Sequence, residues 1–288
     1  MNLIGLDIGG SHVSVARVHW DGKDVDVSHF FEADVDTHRV ADDIISDWTR
    51  LIRKSTGDRT DIRLGIAMPG PYDYPNGISL IKDQGKMKSL YGLSVKNLLA
   101  EKLRIIADHI CFTNDAEAFL LGESLAGAGR GLEDSIGLTL GTGLGSAFKS
   151  GTEVHDAKLW TAPFRDGIAE DYLGTAWIRR VAKENLGVEI SGLKDLLSGD
   201  FNPEVVEEIL SQLGTALGEF LAPYVNSMGC QGVILGGKIS RAADRFLPYT
   251  RAQLAASGCF PEIRIAELGE RAAMIGACHP FVVQQRII

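Results

Sequence analysis

The stretch Asp7–His12, DIGGSH, follows the apolar run Leu3-Ile4-Gly5-Leu6 and leads into the β-rich segment Val13–His19. A strand that enters a glycine turn and leaves as a second strand keeps backbone N–H groups bare, because glycine has no Cβ to shield them. Far downstream, Leu138–Phe148, LTLGTGLGSAF, has the same form. Ile4-Gly5-Leu6-Asp7-Ile8-Gly9 overlies Ile136-Gly137-Leu138-Thr139-Leu140-Gly141 at a constant offset of 132 (136 − 4). This internal repeat predicts two halves of one architecture facing each other across a cleft. Only the first strand has an acid at its mouth, Asp7, where the second has Thr139. Two such turns suit the two sides of a triphosphate, and Asp7 suits a magnesium ion, held directly or through water. One metal needs one anchoring carboxylate; a second would repel the phosphates. Taken alone, each turn is equally well a plain hairpin.

The rest of the composition narrows the class. The 288 residues are 45% hydrophobic and 23% charged, ordinary for a globular chain long enough for two domains. A formal net charge of −9 argues against a protein built to hold nucleic acid, which would need a basic face. An anionic ligand then has to be met locally, by amides, a metal or a few cations. Cys111, Cys230, Cys259 and Cys278 are scattered singly, without CxxC or metal-ligand spacing, and read as free thiols. No basic region precedes the first apolar run, which Asp7 interrupts, and no segment approaches a membrane span. A cytoplasmic protein with no membrane partner is expected.

Strands are expected at Leu3–Ile8, Val13–His19 and Val25–Phe31, the last two joined by Asp21-Gly22. Val40, Ile44, Ile45, Trp48, Leu51 and Ile52 recur at helical spacing behind Asp36 and Thr37, the capping candidates. A strand at Ile62–Ala67, the turn-rich MPGPYDYPNG, a helix at Leu93–Leu103 and a strand at His109–Thr113 follow. The domain boundary is expected near Thr113 and Asn114, giving 1–113 and 114–288, with the C-terminal helix, about 272–288, as a candidate to complete the first domain. In the second part, strands at Ser135–Leu140, Leu144–Lys149 and Gly232–Leu235 and near Ile263 alternate with helices. Those helices are read at Glu170–Asn185, Pro203–Asn226, between the last two strands, and from Arg271 onward.

Asp115, in Asn114-Asp115-Ala116, is either a helix N-cap, the commoner use of an aspartate there, or a base aimed at a ligand. Gly236-Gly237-Lys238-Ile239-Ser240 follows a buried strand and either lets a purine lie against bare backbone or is a structural turn.

Five motifs in order, DIGGS, GIAMPGPYD (Gly65–Asp73), NDAEAFLLGE (Asn114–Glu123), LTLGTGLG (Leu138–Gly145) and GVILGGKIS (Gly232–Ser240), resemble the ROK (repressor, ORF, kinase) family of sugar kinases and their relatives. The resemblance implies an α/β protein of two ribonuclease-H-like domains of the actin-like ATPase fold, with ATP and a sugar in the interdomain cleft. It implies Asp7 at the magnesium, Gly9, Gly10 and Ser11 near the phosphates, and Gly141, Thr142 and Gly143 on the triphosphate's other side. Gly236 and Gly237 would border the adenosine. Asp115 would be the general base, Asn114 a sugar-hydroxyl ligand, Gly70 a neighbour of the sugar and Glu170, in AEDYLG, a sugar-binding glutamate. A homodimer is also implied.

Some positions depart from that family. Its GExGH and CxCGxxGC stretches are replaced by GTEVHDAKLWTAPFRDGIAEDYLG, residues 151–174, which has no cysteine, so no structural zinc is expected. His155, the only histidine of that interval, reads as a solvated loop residue. Glu117 stands where many relatives have asparagine. Lys82, Lys86 and Lys88, in SLIKDQGKMKSLYG, either face an acidic sugar or form a solvated charge run. The leading expectation is an ATP-dependent kinase of a hexose or hexose derivative. A sugar-sensing regulator and a sugar-independent ATPase are the alternatives. Repressor relatives carry an N-terminal helix-turn-helix domain, whereas this sequence opens on the strand at Leu3, so no nucleic-acid partner is expected.

Overall fold

The computed structural model describes residues 2–82 and 85–285, the side chains of 284 and 285 apart. The chain runs β1 (Asn2–Ile8), β2 (His12–Trp20), β3 (Val25–Asp34), α1 (Ala41–Thr56), β4 (Ile62–Met68), β5 (Tyr72–Asp73), β6 (Ile78–Ser79), α2 (Val95–Leu103), β7 (Ile110–Asn114) and α3 (Asp115–Ala126). It continues through β8 (Asp134–Leu140), β9 (Leu144–Ser150), β10 (Glu153–Asp156), β11 (Pro163–Phe164), β12 (Gly167–Ile168), α4 (Glu170–Leu173), α5 (Thr175–Leu186), α6 (Leu193–Ser198) and α7 (Pro203–Met228). The remaining elements are β13 (Gly232–Gly236), α8 (Ala243–Ala256), β14 (Glu262–Ile265), α9 (Arg271–Ala277) and α10 (His279–Gln285).

Met1–Arg130 with Glu270–Ile288 form one unit and Gly131–Gly269 the other. The division therefore falls after Arg130, not near Thr113 and Asn114, and the C-terminal segment belongs with the first unit. The cause is the packing of α3 on α9. Cβ atoms built at Gly122 and Gly276 would land on the carbonyls of Ala272 and Ala118, so the two helix backbones touch through bare glycines.

In the first unit the strand order is β3-β2-β1-β4-β7. β1 pairs antiparallel with β2 and parallel with β4, and β4 runs parallel with β7. Strand residues alternate between faces. Ile4, Leu6 and Ile8 join Ile44, Ile45, Trp48 and Ile52 of α1 in one core. The opposite face is cut down to admit a helix: Gly5 pairs with Gly65, and a Cβ at either would strike the α9 backbone at Met274 or Ala277. Asp7 shares the parity of Gly5. The capping candidates of α1 serve elsewhere. Val40 holds the cap position without a side-chain bond, and Thr37 Oγ1 donates to Gly10 O at 2.7 Å.

The second unit repeats the plan, with strand order β10-β9-β8-β13-β14. β8 is antiparallel to β9 and parallel to β13. The 132-residue repeat is the leading hairpin of each sheet, and the two sheets share one strand order, as expected of two ribonuclease-H-like domains. The core gathers Ile136, Leu138, Val233 and Leu235 with Leu210, Leu213, Leu217 and Phe246 of α7 and α8. Short strand β10 has no counterpart in the sequence reading. The helix expected at Glu170–Asn185 is two, α4 and α5, broken by Gly174, whose φ −106° and ψ 170° are extended. His109 ends a short 3-10 turn instead of starting β7.

Around β11 and α4, in the cysteine-free interval 151–174, aromatic packing organises the second unit. Phe164 meets Tyr172 and Phe220 edge-on at 5.4 and 5.5 Å. The Arg165 guanidinium lies 5.2 Å from the Phe164 and Tyr172 rings and bonds Glu219 at 2.7 Å. His155 is exposed on β10, 3.4 Å from Glu153 Oε2. All four cysteines are free; three are buried and Cys111 is half-buried.

Candidate active site

In the first unit the site residues stand at the carboxyl ends of neighbouring parallel strands, the edge where open α/β sheets bind ligands. Asp7 on β1 is opposite Ala67 on β4, and Met68 on β4 is opposite Asn114 on β7. Beyond Asp7 the turn is closed by Gly9 N–H donating to His12 O at 2.8 Å. The N–H groups of Gly10 and Ser11 have no backbone acceptor among the described residues. They remain free for an anion.

Asn114, not Asp115, caps α3: its Oδ1 accepts from Ala116 and Glu117 N–H at 3.0 and 3.2 Å. That cap fixes Asp115 in the first helical turn, where it is exposed and where the helix dipole favours a negative charge. Asn114 Nδ2 donates to Tyr74 Oη at 3.1 Å, and Tyr74 Oη donates to Met68 O at 3.1 Å. A Cβ at Gly70 would lie 3.3 Å from the same hydroxyl. Gly70, Tyr74 and Asn114 thus form one polar group, with Tyr74 as its hub, and Asp115 follows Asn114 at the start of α3. The sequence reading missed Tyr74, although its place in YDYPNG, four residues after Gly70, was a usable signal.

Burial, then the carboxylates of Asp115 and Glu270, push Asp7 up to about 7, against a lowering pull from His12. His12, also missed, bonds Asp34 at 3.3 Å and Glu32 at 3.4 Å. Desolvation depresses its pKa, but those two partners outweigh it and raise the imidazole above its ordinary range. Of the three lysines, Lys82 lies 5.9 Å from the Tyr91 ring centroid and Lys88 is exposed in a 3-10 turn. The Lys86 stem lies against Gly10. Asp83 and Gln84 of the same segment fall outside the described residues.

The second unit holds the other glycine turn. Gly141 N–H donates to Gly143 O at 3.1 Å, while Gly141 O accepts from Thr175 N–H and Oγ1, both at 2.8 Å. Thr142 and Gly143 N–H have no backbone acceptor among the described residues, and a Cβ at Gly141 would meet open space. Glu170 Oε2 accepts from Leu144 N–H at 2.9 Å, and a Cβ at Gly143 would come within 2.7 Å of it. Glu170 therefore braces this turn, a task the sequence reading did not assign it. Gly236 pairs with Thr139. Gly237, at φ +86°, would drive a Cβ onto the Leu140 carbonyl, so only glycine lets β13 end against the β8 turn.

These features match a known group. The ROK family model matches residues 3–159, more than half of the chain. The chain belongs to the ROK family. It is 28% identical over 283 residues to a glucokinase of Thermotoga maritima, covering 85% of this chain and 84% of that one. A β-glucoside kinase of Klebsiella pneumoniae is 23% identical, covering 98% and 96%. Among solved structures, a ROK family glucokinase from Streptomyces griseus, in complex with glucose and AMPPNP, shares the fold at TM-score 0.76 and 22% identity, covering 97% of this chain and 99% of that one.

In this ROK protein the described residues include no group of three His, Cys, Asp or Glu side chains placed to cage a metal. Asp7 nonetheless fits magnesium, which keeps most of its water and takes one or two carboxylates plus phosphate oxygens. A half-buried, desolvated acid with the Asp115 and Glu270 carboxylates nearby is relieved by a cation. The pH dependence follows by linkage. With its folded pKa raised, Asp7 binds more protons folded than unfolded between about pH 4 and 7, so stability is lost as pH rises through that window. The cost at pH 8 is on the order of 3–4 kcal/mol without metal. Asp7→Asn is expected to melt several degrees above the parent at pH 8 and level with it near pH 4, by scanning calorimetry without magnesium. Equal gaps at both pH values would contradict the assignment.

Proposed function

We propose that this ROK protein is an ATP-dependent sugar kinase, transferring the γ-phosphoryl group to a hydroxyl of a hexose or hexose derivative. The observation that carries the reading is Asp115, exposed in the first turn of α3 next to the Asn114 cap and close enough to Asp7 to raise its pKa. Phosphoryl transfer depends on positioning and charge neutralisation more than on covalent help.

Asp115 orients the acceptor hydroxyl and takes its proton as the oxygen bonds to phosphorus and the bond to ADP breaks. Asn114 spends its Oδ1 on the helix cap and one N–H on Tyr74, which leaves a second N–H for a sugar hydroxyl. Gly70 keeps the approach to Tyr74 open. Glu170, with Oε2 on Leu144, has its other oxygen for a sugar hydroxyl. Gly10 and Ser11 in the first unit and Thr142 and Gly143 in the second offer phosphate-binding N–H groups, while Gly236 and Gly237 give bare backbone for the adenosine. Magnesium on Asp7 would neutralise phosphate charge. A cytoplasmic activity belongs to the same reading, and no helix among the described residues is long and apolar enough to cross a membrane. A homodimer is part of the same proposal.

The test is ADP formation from Mg-ATP across neutral hexoses, amino sugars and acidic sugars. One sugar is expected to raise the rate at least tenfold over the blank. ADP formed at one rate with every sugar would favour an ATPase. Sugar-induced thermal stabilisation without ADP would favour a sensor.

A further inference from the structure

The first-unit turn carries a cation that the family motifs do not include. Gly85–Leu90 connects β6 to α2, and within it Met87 adopts φ +53° and is buried. Met87 N–H donates to Thr37 O at 3.0 Å, and Thr37 Oγ1 donates to Gly10 O at 2.7 Å. One residue, Thr37, thus ties the lysine segment to the glycine turn. A Cβ at Gly10 would come within 2.8 Å of Lys86 Cδ and 3.3 Å of its Nζ. The missing side chain of Gly10 is what lets the Lys86 ammonium lie over the turn.

Among the described residues no carboxylate pairs with Lys86, whereas Lys102, Lys183 and several arginines have acidic partners. Lys86 is half-buried, and Lys82 and Lys88 are exposed. Laying a lysine stem on a glycine costs rotamer entropy. Among the described residues no ion pair offsets that cost. A cation beside the open N–H groups of Gly10 and Ser11 makes a concentrated anion site in a chain of net charge −9. The ligand chemistry is that of a phosphoryl group, whose oxygens accept from amides and ammonium alike.

We propose that Lys86 contacts the phosphoryl group being transferred, its ammonium acting together with the N–H groups of Gly10 and Ser11. This rests on the kinase reading for its reaction, but not for its anion. Lys86 neutralises the charge spread over the oxygens of the transferring group and holds that group in line as its bond to ADP breaks and the electron pair stays on ADP. Its effect therefore falls on turnover and not on sugar affinity.

Lys86→Met keeps most of the stem and removes the charge, and Lys86→Arg restores a cation. Turnover with the best sugar and the affinity for tripolyphosphate by calorimetry are measured on both, with thermal melts confirming folding and Lys88→Met as control. Expected are a 10–100-fold loss of kcat in Lys86→Met, sugar KM within about twofold, recovery of most of the rate by Lys86→Arg, and tripolyphosphate affinity at least fivefold weaker in Lys86→Met alone. Unchanged kcat and affinity would overturn the proposal. So would a kcat loss that Lys86→Arg does not recover, with unchanged affinity, which marks mere packing. If the parent protein forms no sugar-dependent ADP, the kinase reading falls. Tripolyphosphate then decides Lys86 by itself, weakening for it and parity against it.

Discussion

Asp115→Asn is expected to bind Mg-ATP nearly as the parent does and to lose roughly 10²–10⁴-fold in kcat, the usual contribution of a general base. The substitution preserves size and leaves the Asn114 cap in place, because the capping oxygen is not on Asp115. Removing a negative charge from the first turn of α3 costs about 0.3–1 kcal/mol of helix stability. The rate effect, by contrast, amounts to roughly 3–5 kcal/mol of transition-state stabilisation. Stability and turnover are therefore expected to separate. The substitution should also lower the Asp7 pKa, because Asp115 is the largest charge raising it. Calorimetric affinity for Mg-AMPPNP beside steady-state turnover checks both expectations. Unchanged turnover in a folded variant would remove Asp115 from the mechanism.

Gly276→Ala is expected to be among the most destabilising single-methyl additions in the first unit. Its Cβ would be forced onto the Ala118 carbonyl oxygen and within 2.7 Å of Gly122 N. Both are backbone atoms of α3, so no side chain can rotate away and the helices must part. Alanine gains about 1 kcal/mol over glycine in helix propensity, and overpacking a tight interior costs about 1–3 kcal/mol or more. Backbone against backbone lies at the upper end, and the clash wins. Separating α3 from α9 also displaces Asp115, which opens α3. A melting temperature lower by roughly 4–8 °C, with kcat falling at temperatures where the protein is still folded, is the expected pair of results. A variant as stable as the parent would show that α3 and α9 are not in contact.

The leading hairpins and their turns were legible because buried apolar runs broken by glycine pairs are local signals. Ile4–Gly9 and Ile136–Gly141 each contain the whole message. Asn114-Asp115 was visible as a helix start, but which of the two caps it depends on backbone angles that the tripeptide does not encode. The domain division was not legible, since it rests on α3 meeting α9 through Gly122 and Gly276, far apart in the chain. Helical periodicity ran through Gly174 unbroken, because a single glycine inside an apolar repeat is locally tolerated. Lys86 reaches the first turn by a tertiary contact that its place in a lysine-rich segment does not encode. His12 and Tyr74, by contrast, stand in or beside the motifs, at the end of DIGGSH and four residues after Gly70. Glu170 was read as a sugar ligand, whereas its bond to Leu144 N–H follows from a strand and a helix meeting, not from the AEDYLG motif.

The central claim is that the terminal phosphoryl group of ATP moves to a sugar hydroxyl by way of Asp115. Phosphorus NMR of Mg-ATP with the most active sugar follows that group directly. The account predicts a sugar phosphate monoester signal growing as the γ signal decays, and almost none with Asp115→Asn over the same time. Release of orthophosphate at one rate with or without sugar, or an equal monoester signal from the variant, would contradict it.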